Sequence, residues 1–159
     1  MIILGIDPGS TRIGYGVILS KNGLSLIDYG TIEIKRKESG KLILEAAQKL
    51  SSLIKKYKPE IVGIEKLFFL KNVKTGIEVA QTRGALMLEI AKQNIPTKEY
   101  SPSEIKLTVA GYGLADKKAI SKMVAISLNL KASELKGYDD ATDALAVAIT
   151  TAAHLKYAN

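Results

Sequence analysis

The chain has 159 residues, no cysteine and a net charge of +7. That length supports one core but not two lobes, and the absent thiols exclude disulfides and thiolate metal sites. No apolar run is long enough to span a bilayer, and the positive balance favours an anionic partner, nucleic acid first, over a merely lysine-rich surface.

Residues 2–7 (IILGID) form the first predicted strand. They lack a basic leader and a cleavage site, so they read as structure and not as a signal peptide, and the protein is expected in the cytoplasm. Strands at 14–20 and 24–34 follow, joined by Asn22-Gly23, a strong hairpin signal. From 41 to 57 the spacing turns helical, with Leu42, Leu44, Ala46, Leu50, Leu53 and Ile54 apolar and lysines opposite; Pro59 ends the helix. Residues 60–65 make a short buried strand. A second helix over about 76–93 carries Ile77, Ala80, Gly84, Leu88 and Ala91 on one stripe, and 97–100 is the last strand.

Ser101-Pro102-Ser103-Glu104 is a capping box with Pro at the first helical position. Gly111-Tyr112-Gly113 breaks the helix it starts. Asp116 caps the next, whose buried stripe is Ile120, Met123, Val124 and Leu128. The last helix, about 140–156, is rich in Ala. Three antiparallel strands followed by strands alternating with helices predict one α/β domain over 1–159, with a single mixed sheet and helices packed on it.

Asp7-Pro8-Gly9-Ser10 fits a type II turn, with Pro second and Gly third, and Asp7 could simply cap that turn. It also ends an almost wholly apolar strand, where a carboxylate is costly to hold unless a cation or donors meet it. Glu65 ends Ile61-Val62-Gly63-Ile64 in the same way. If these two strands lie side by side, both acids emerge together. Asp140 and Asp143 project from one face of the last helix's first turn, where the helix dipole favours ionised carboxylates; an ordinary acidic first turn is the plainer explanation of that pair. Asp139 reads as an N-cap, and Ala141 and Ala144 permit close packing on a sheet.

Four converging acids repel one another and drive pKa values upward. Two divalent cations would balance them, and an all-carboxylate set suits Mg²⁺ or Mn²⁺, not Zn²⁺. Such a pair, about 3.5–4 Å apart, can activate water and stabilise a leaving oxygen in phosphodiester cleavage. His154, the sole histidine, lies roughly 16 Å farther along the helix and is expected to be structural.

Four stretches carry a family likeness: GIDPGSTRIGYGVI (5–18), IEKLFFLKN (64–72), AQTRGALM (80–87) and DDATDALAVAIT (139–150). In this order the chain resembles the RuvC Holliday-junction resolvases of the RNase H-like superfamily. The resemblance covers nearly the whole chain and implies the RNase H-like fold, a five-stranded mixed sheet with helices on both faces. It carries the family's catalytic, metal-binding acids onto Asp7, Glu65, Asp140 and Asp143, although some members have His where Asp140 stands. It implies a Mg²⁺-dependent endodeoxyribonuclease, with two Mg²⁺ per site replaceable by Mn²⁺. Such an enzyme acts as a homodimer that nicks opposing strands of a four-way DNA junction symmetrically during recombination and repair, with RuvA and RuvB as branch-migration partners.

The same resemblance places DNA contacts at Lys106 and Lys117, with Lys118, Lys71, Asn72 and Arg83 as further candidates. Lys117 and Lys118 follow the cap Asp116 in a first helical turn, where cations oppose the dipole. A broken local rule hints at function, though exposed lysines there cost little. By the family's Glu-x-x-Phe spacing, the resemblance implies that Phe68, not Phe69, is free to stack on an unpaired base, worth roughly 1–3 kcal/mol; the alternative is that both are core. The small residues of Gln81-Thr82-Arg83-Gly84-Ala85 make that helix a candidate dimer face, or simply pack it on its own sheet. The rival readings are a YqgF-like RNase H-fold nuclease of ribosomal RNA processing and a non-catalytic junction binder. A lobe of an actin-like ATPase or sugar kinase is a third, for which the chain is too short.

Overall fold

Side-chain alternation along the first strand decides where the other elements go. In the computed structural model, which describes residues 1–35, 38–67, 73–135 and 139–156, that strand is β1 (Ile2–Asp7), followed by β2 (Arg12–Ser20) and β3 (Leu24–Glu33). Helix α1 (Ser39–Tyr57), β4 (Ile61–Glu65), α2 (Val73–Lys92) and β5 (Thr97–Tyr100) come next, then α3 (Pro102–Ala110), α4 (Lys117–Ser127) and α5 (Asp139–Lys156). The sheet order is β3-β2-β1-β4-β5, with β1 antiparallel to β2 and parallel to β4. This is the expected five-stranded mixed sheet.

Leu4 and Ile6 face one side of it, with Val17, Val62 and Ile64, and meet Leu42, Ala46, Leu50, Leu86 and Ile90 of α1 and α2. Ile3, Ile18 and Ile61 face the other side and meet the residues of α3, α4 and α5. Helices therefore cover both faces, and residues of odd number on β1 and β4 point toward α5.

On that second face the sheet is lined with glycine. A Cβ at Gly5 would lie 2.1 Å from the Ala144 carbonyl oxygen, at Gly14 1.9 Å from that of Asp140, at Gly16 2.8 Å from the Leu145 nitrogen, and at Gly63 2.1 Å from Thr151 Oγ1. Gly5 pairs with both Gly16 and Gly63 across the strands. Alanines 141, 144 and 148 of α5 are at most 1% exposed against this bed. Missing side chains on the sheet and small ones on the helix let two backbones nearly touch, which fixes where α5 begins.

Local signals held with few exceptions. Asn22 and Gly23 both take positive φ in the β2–β3 hairpin. Lys58 closes α1 in the left-handed region, its N–H bonded to the Ile54 carbonyl, just ahead of Pro59. Both halves of the capping box form: Ser101 Oγ accepts from the Glu104 N–H at 3.2 Å, and the Ser101 N–H donates to Glu104 Oε2 at 2.7 Å. Ser101→Ala should cost about 1 kcal/mol, read as a drop of a few degrees in melting temperature with the fold retained.

Two expectations, for Gly9 and Asp139, are corrected, and the facing of the α2 stripe is decided. Gly9 does not take the positive φ that a type II turn demands; its Cβ would sit 2.0 Å from the Arg12 carbonyl oxygen, so glycine is needed there for close backbone approach. The stripe Ile77, Ala80, Gly84, Leu88 and Ala91 of α2 faces outward and is exposed, while Val79, Thr82, Leu86 and Ile90 pack on the sheet. Asp139 is the first residue of α5 and not a cap outside it.

Candidate active site

Asp7 and Glu65 end β1 and β4. The parallel register runs Gly5↔Gly63 and Ile6↔Ile64, so one step further the two acids are neighbours. Both continue the odd-numbered series that faces α5. The first turn of α5 lies over this corner because Gly14, paired with Asp7 across β1 and β2, leaves room for the Asp140 backbone. The same glycine bed that seats the helix thus brings Asp140 and Asp143 to Asp7 and Glu65.

Burial and crowding set the charge state. Burial first, then the negative charges of Glu65 and Asp143, push the Asp7 carboxyl up to about 8. Burial also raises Glu65, partly offset by its hydrogen bond with Asp7 and by Lys106. Asp143 is raised by burial against the pull of Lys117 and Lys106. A hydrogen bond links the Asp7 and Glu65 carboxyls, and burial disfavours charge on both.

Basic side chains ring the acids. Arg12 Nε lies 3.1 Å from Asp140 Oδ2. Lys117 Nζ is 3.1 Å from Asp139 and 3.8 Å from Asp143, and its hydrogen bond to Asp139 raises its pKa. Lys106, half-buried, joins Glu65, Lys117 and Asp143 in lining an open cavity of about 290 Å³. A second cavity of about 270 Å³ opens on the other side of Glu65, bordered by Asp7, Pro8, Lys66 and Val79.

The donor set fits a hard divalent cation. All four candidates offer oxygen, and Asp140 Oδ2 is buried yet accepts no hydrogen bond, the Arg12 contact notwithstanding. Among the described residues no three acids are closed on a single point.

Of the basic residues expected at DNA, Lys106 and Lys117 reach the cavity and Lys118 is exposed one residue further. Arg83 differs: its side chain is only 16% exposed and ion-paired with Glu99, and its Nε donates to the Glu65 carbonyl at 3.1 Å. These contacts brace the end of β4. Phe68, Lys71 and Asn72 lie outside the described residues. His154 packs edge-on against Tyr100 at 5.0 Å and approaches Thr108 Oγ1 at 3.4 Å, as a structural residue would. Sequence reasoning missed Arg12 and the glycine bed. The signal for the bed was present, since Gly5 and Gly63 each stand two residues before an acid.

The family model for crossover junction endodeoxyribonuclease RuvC matches residues 3–151. The RuvC of Petrotoga mobilis is 47% identical over 150 residues, covering 93% of this chain and 91% of that protein. The Thermus thermophilus RuvC in complex with a Holliday junction substrate superposes with a TM-score of 0.92 at 27% identity, over 99% of this chain and 96% of that one. The yeast mitochondrial Holliday junction resolvase Ydc2 shares the fold at a TM-score of 0.69 and 15% identity, over 98% and 82% of the two chains. With sequence and fold agreeing over almost its full length, the chain belongs to the RuvC family of crossover junction endodeoxyribonucleases.

Proposed function

We propose that this protein is a divalent-metal-dependent endonuclease that cuts opposing strands of a four-way DNA junction as a homodimer. The observation that carries this is the electrostatic proximity of Asp7 to Glu65, Asp143 and Asp140, with Glu65 and Asp143 lining a cavity edged by Lys106 and Lys117, in a chain of the RuvC family. Mg²⁺ or Mn²⁺ held by these carboxylates would supply an activated water and a Lewis acid for the leaving oxygen.

The chain's own residues do the rest. Asp7 and Glu65 present oxygen ligands from rigid strand ends. Lys106 and Lys117, on either side of the cavity, hold the phosphate of the strand to be cut and offset its charge. Arg83 keeps the Glu65 backbone in place.

The outward stripe of α2 supports the dimer. Ile77 is 55% and Leu88 58% exposed, Ala80 and Gly84 lie between them with Ala91 one turn beyond, and a Cβ at Gly84 would meet nothing within 4 Å. A second copy can lie close along such a stripe. Leu88→Glu should give a folded monomer by sedimentation that nicks one strand at a time and no longer releases paired linear products.

The reading is tested with end-labelled synthetic four-way junctions in Mg²⁺. Symmetric, religatable nicks on opposite strands are expected. Equal cutting of linear duplex would contradict the junction specificity, and cutting of single-stranded RNA alone would favour the ribosomal RNA nuclease.

A further inference from the structure

The α3–α4 connection carries apolar residues that neither core takes in. Gly111 ends α3 in the left-handed region with φ of 84°, its N–H bonded to the Leu107 carbonyl. A tight turn follows, closed by the Ala115 N–H on the Tyr112 carbonyl at 3.3 Å. Ala115 is 1% exposed, and the Asp116 carboxylate accepts from the Ala119 N–H at 2.7 Å to start α4. The turn is therefore pinned at both ends. At its tip Leu114 is 93% and Tyr112 52% exposed.

Single exposed leucines need no explanation, but this tip has a particular setting. Ala115, Asp116 and Lys117, the residues immediately after it, line the same cavity as Glu65 and Asp143. Between 106 and 122 the chain has four lysines, Lys106, Lys117, Lys118 and Lys122, and one acid, Asp116, whose carboxylate is taken by the helix cap. Apolar side chains on a rigid turn, set among cations and continuous with the catalytic cavity, match DNA in which phosphates lie beside bases that are no longer stacked. An all-protein partner would not call for that charge excess, and a regular duplex would bury its bases away from the tip.

We propose that Tyr112 and Leu114 form a wedge that engages unstacked bases at the strand-exchange point, next to the phosphate being cut. Tyr112 stacks on a base face, and Leu114 fills the gap opened beside it. The inference rests on the junction-cutting reading above. It makes this turn a positioning element: the wedge fixes the exchange point relative to the carboxylates.

The test uses the full chain in an Asp7→Asn background and a junction carrying 2-aminopurine at the exchange point. Binding should raise the fluorescence as the base unstacks. Tyr112→Ala combined with Leu114→Ala should remove at least half of that rise. In the cleaving protein the same pair should slow junction cutting about tenfold, with binding of plain duplex and the melting temperature unchanged. Tyr112→Phe should restore the signal. An unchanged signal and cutting rate in the double variant would overturn the wedge. So would a fall in melting temperature large enough to explain the loss, or a change in sedimentation with the signal intact, which would assign the tip to the core or to a protein contact. A folded wild type that neither binds nor cuts junctions would instead remove the reading beneath it.

Discussion

Asp7→Asn should lower junction cleavage by roughly 10³-fold or more, since residues that act as a unit fail together, while leaving junction binding nearly intact. The same change should stabilise the metal-free protein, because the native state strains this carboxyl. Its pKa moves from 3.8 to about 8 on folding. A raised carboxyl favours the folded state only while it is protonated, so its contribution is complete below about pH 4 and is lost as pH rises toward 8. The wild type without metal should therefore melt progressively lower across that window, and Asp7→Asn should melt higher than wild type at pH 8 and not at pH 4. For a domain of this size each 1 kcal/mol recovered is about 2–4 °C. Saturating Mg²⁺ should close the gap from the other side by stabilising the wild type alone. Thermal melts of both proteins at several pH values, with and without Mg²⁺, check every part of this.

Gly5→Ala should be as damaging as losing a ligand, although Gly5 can touch neither metal nor DNA. Its new methyl would lie 2.1 Å from the Ala144 carbonyl oxygen and 2.5 Å from the Ala148 nitrogen, and a helix backbone in mid-span has no rotamer with which to yield. α5 must lift from the sheet, at a cost of about 3 kcal/mol, the upper end of the usual penalty for overpacking. Any lift also draws Asp140 and Asp143 away from Asp7 and Glu65, so cleavage should fall even in the fraction that folds. Gly40→Ala is the control. Gly40 is the second residue of α1 with open space around it, and Ala there should be neutral or stabilising by up to about 1 kcal/mol. A Gly5→Ala protein with the melting temperature and activity of the wild type would show that α5 is not seated through this contact.

The site was legible in the sequence to the extent that its chemistry violates local rules. A carboxylate after four or five apolar strand residues is expensive, and that expense marked Asp7 and Glu65 before their adjacency was visible. Asp140 and Asp143 were weaker signals, since acids belong in a first helical turn. Their role becomes plausible only with the seating of α5. That seating depends on the absence of side chains at Gly5, Gly14, Gly16 and Gly63, and an absence produces no periodic pattern. Gly9 suggested a turn type because glycine's freedom was read as torsional, when here it is steric. The α2 stripe was legible as an apolar face, but periodicity does not say what covers such a face. The contacts of Arg83 with Glu99 and the Glu65 carbonyl join elements far apart in the chain, and no local pattern announces them.

The claim that four carboxylates on one glycine-seated corner form a single metal centre is tested most directly by Mn²⁺ binding, followed by the loss of the free-ion EPR signal. The wild type should bind Mn²⁺, and Asp7→Asn, Glu65→Gln, Asp140→Asn and Asp143→Asn should each weaken it by at least the roughly 10–100-fold that even an outer-shell partner is worth. Binding of wild-type strength in the Asp7 and Glu65 variants would contradict it.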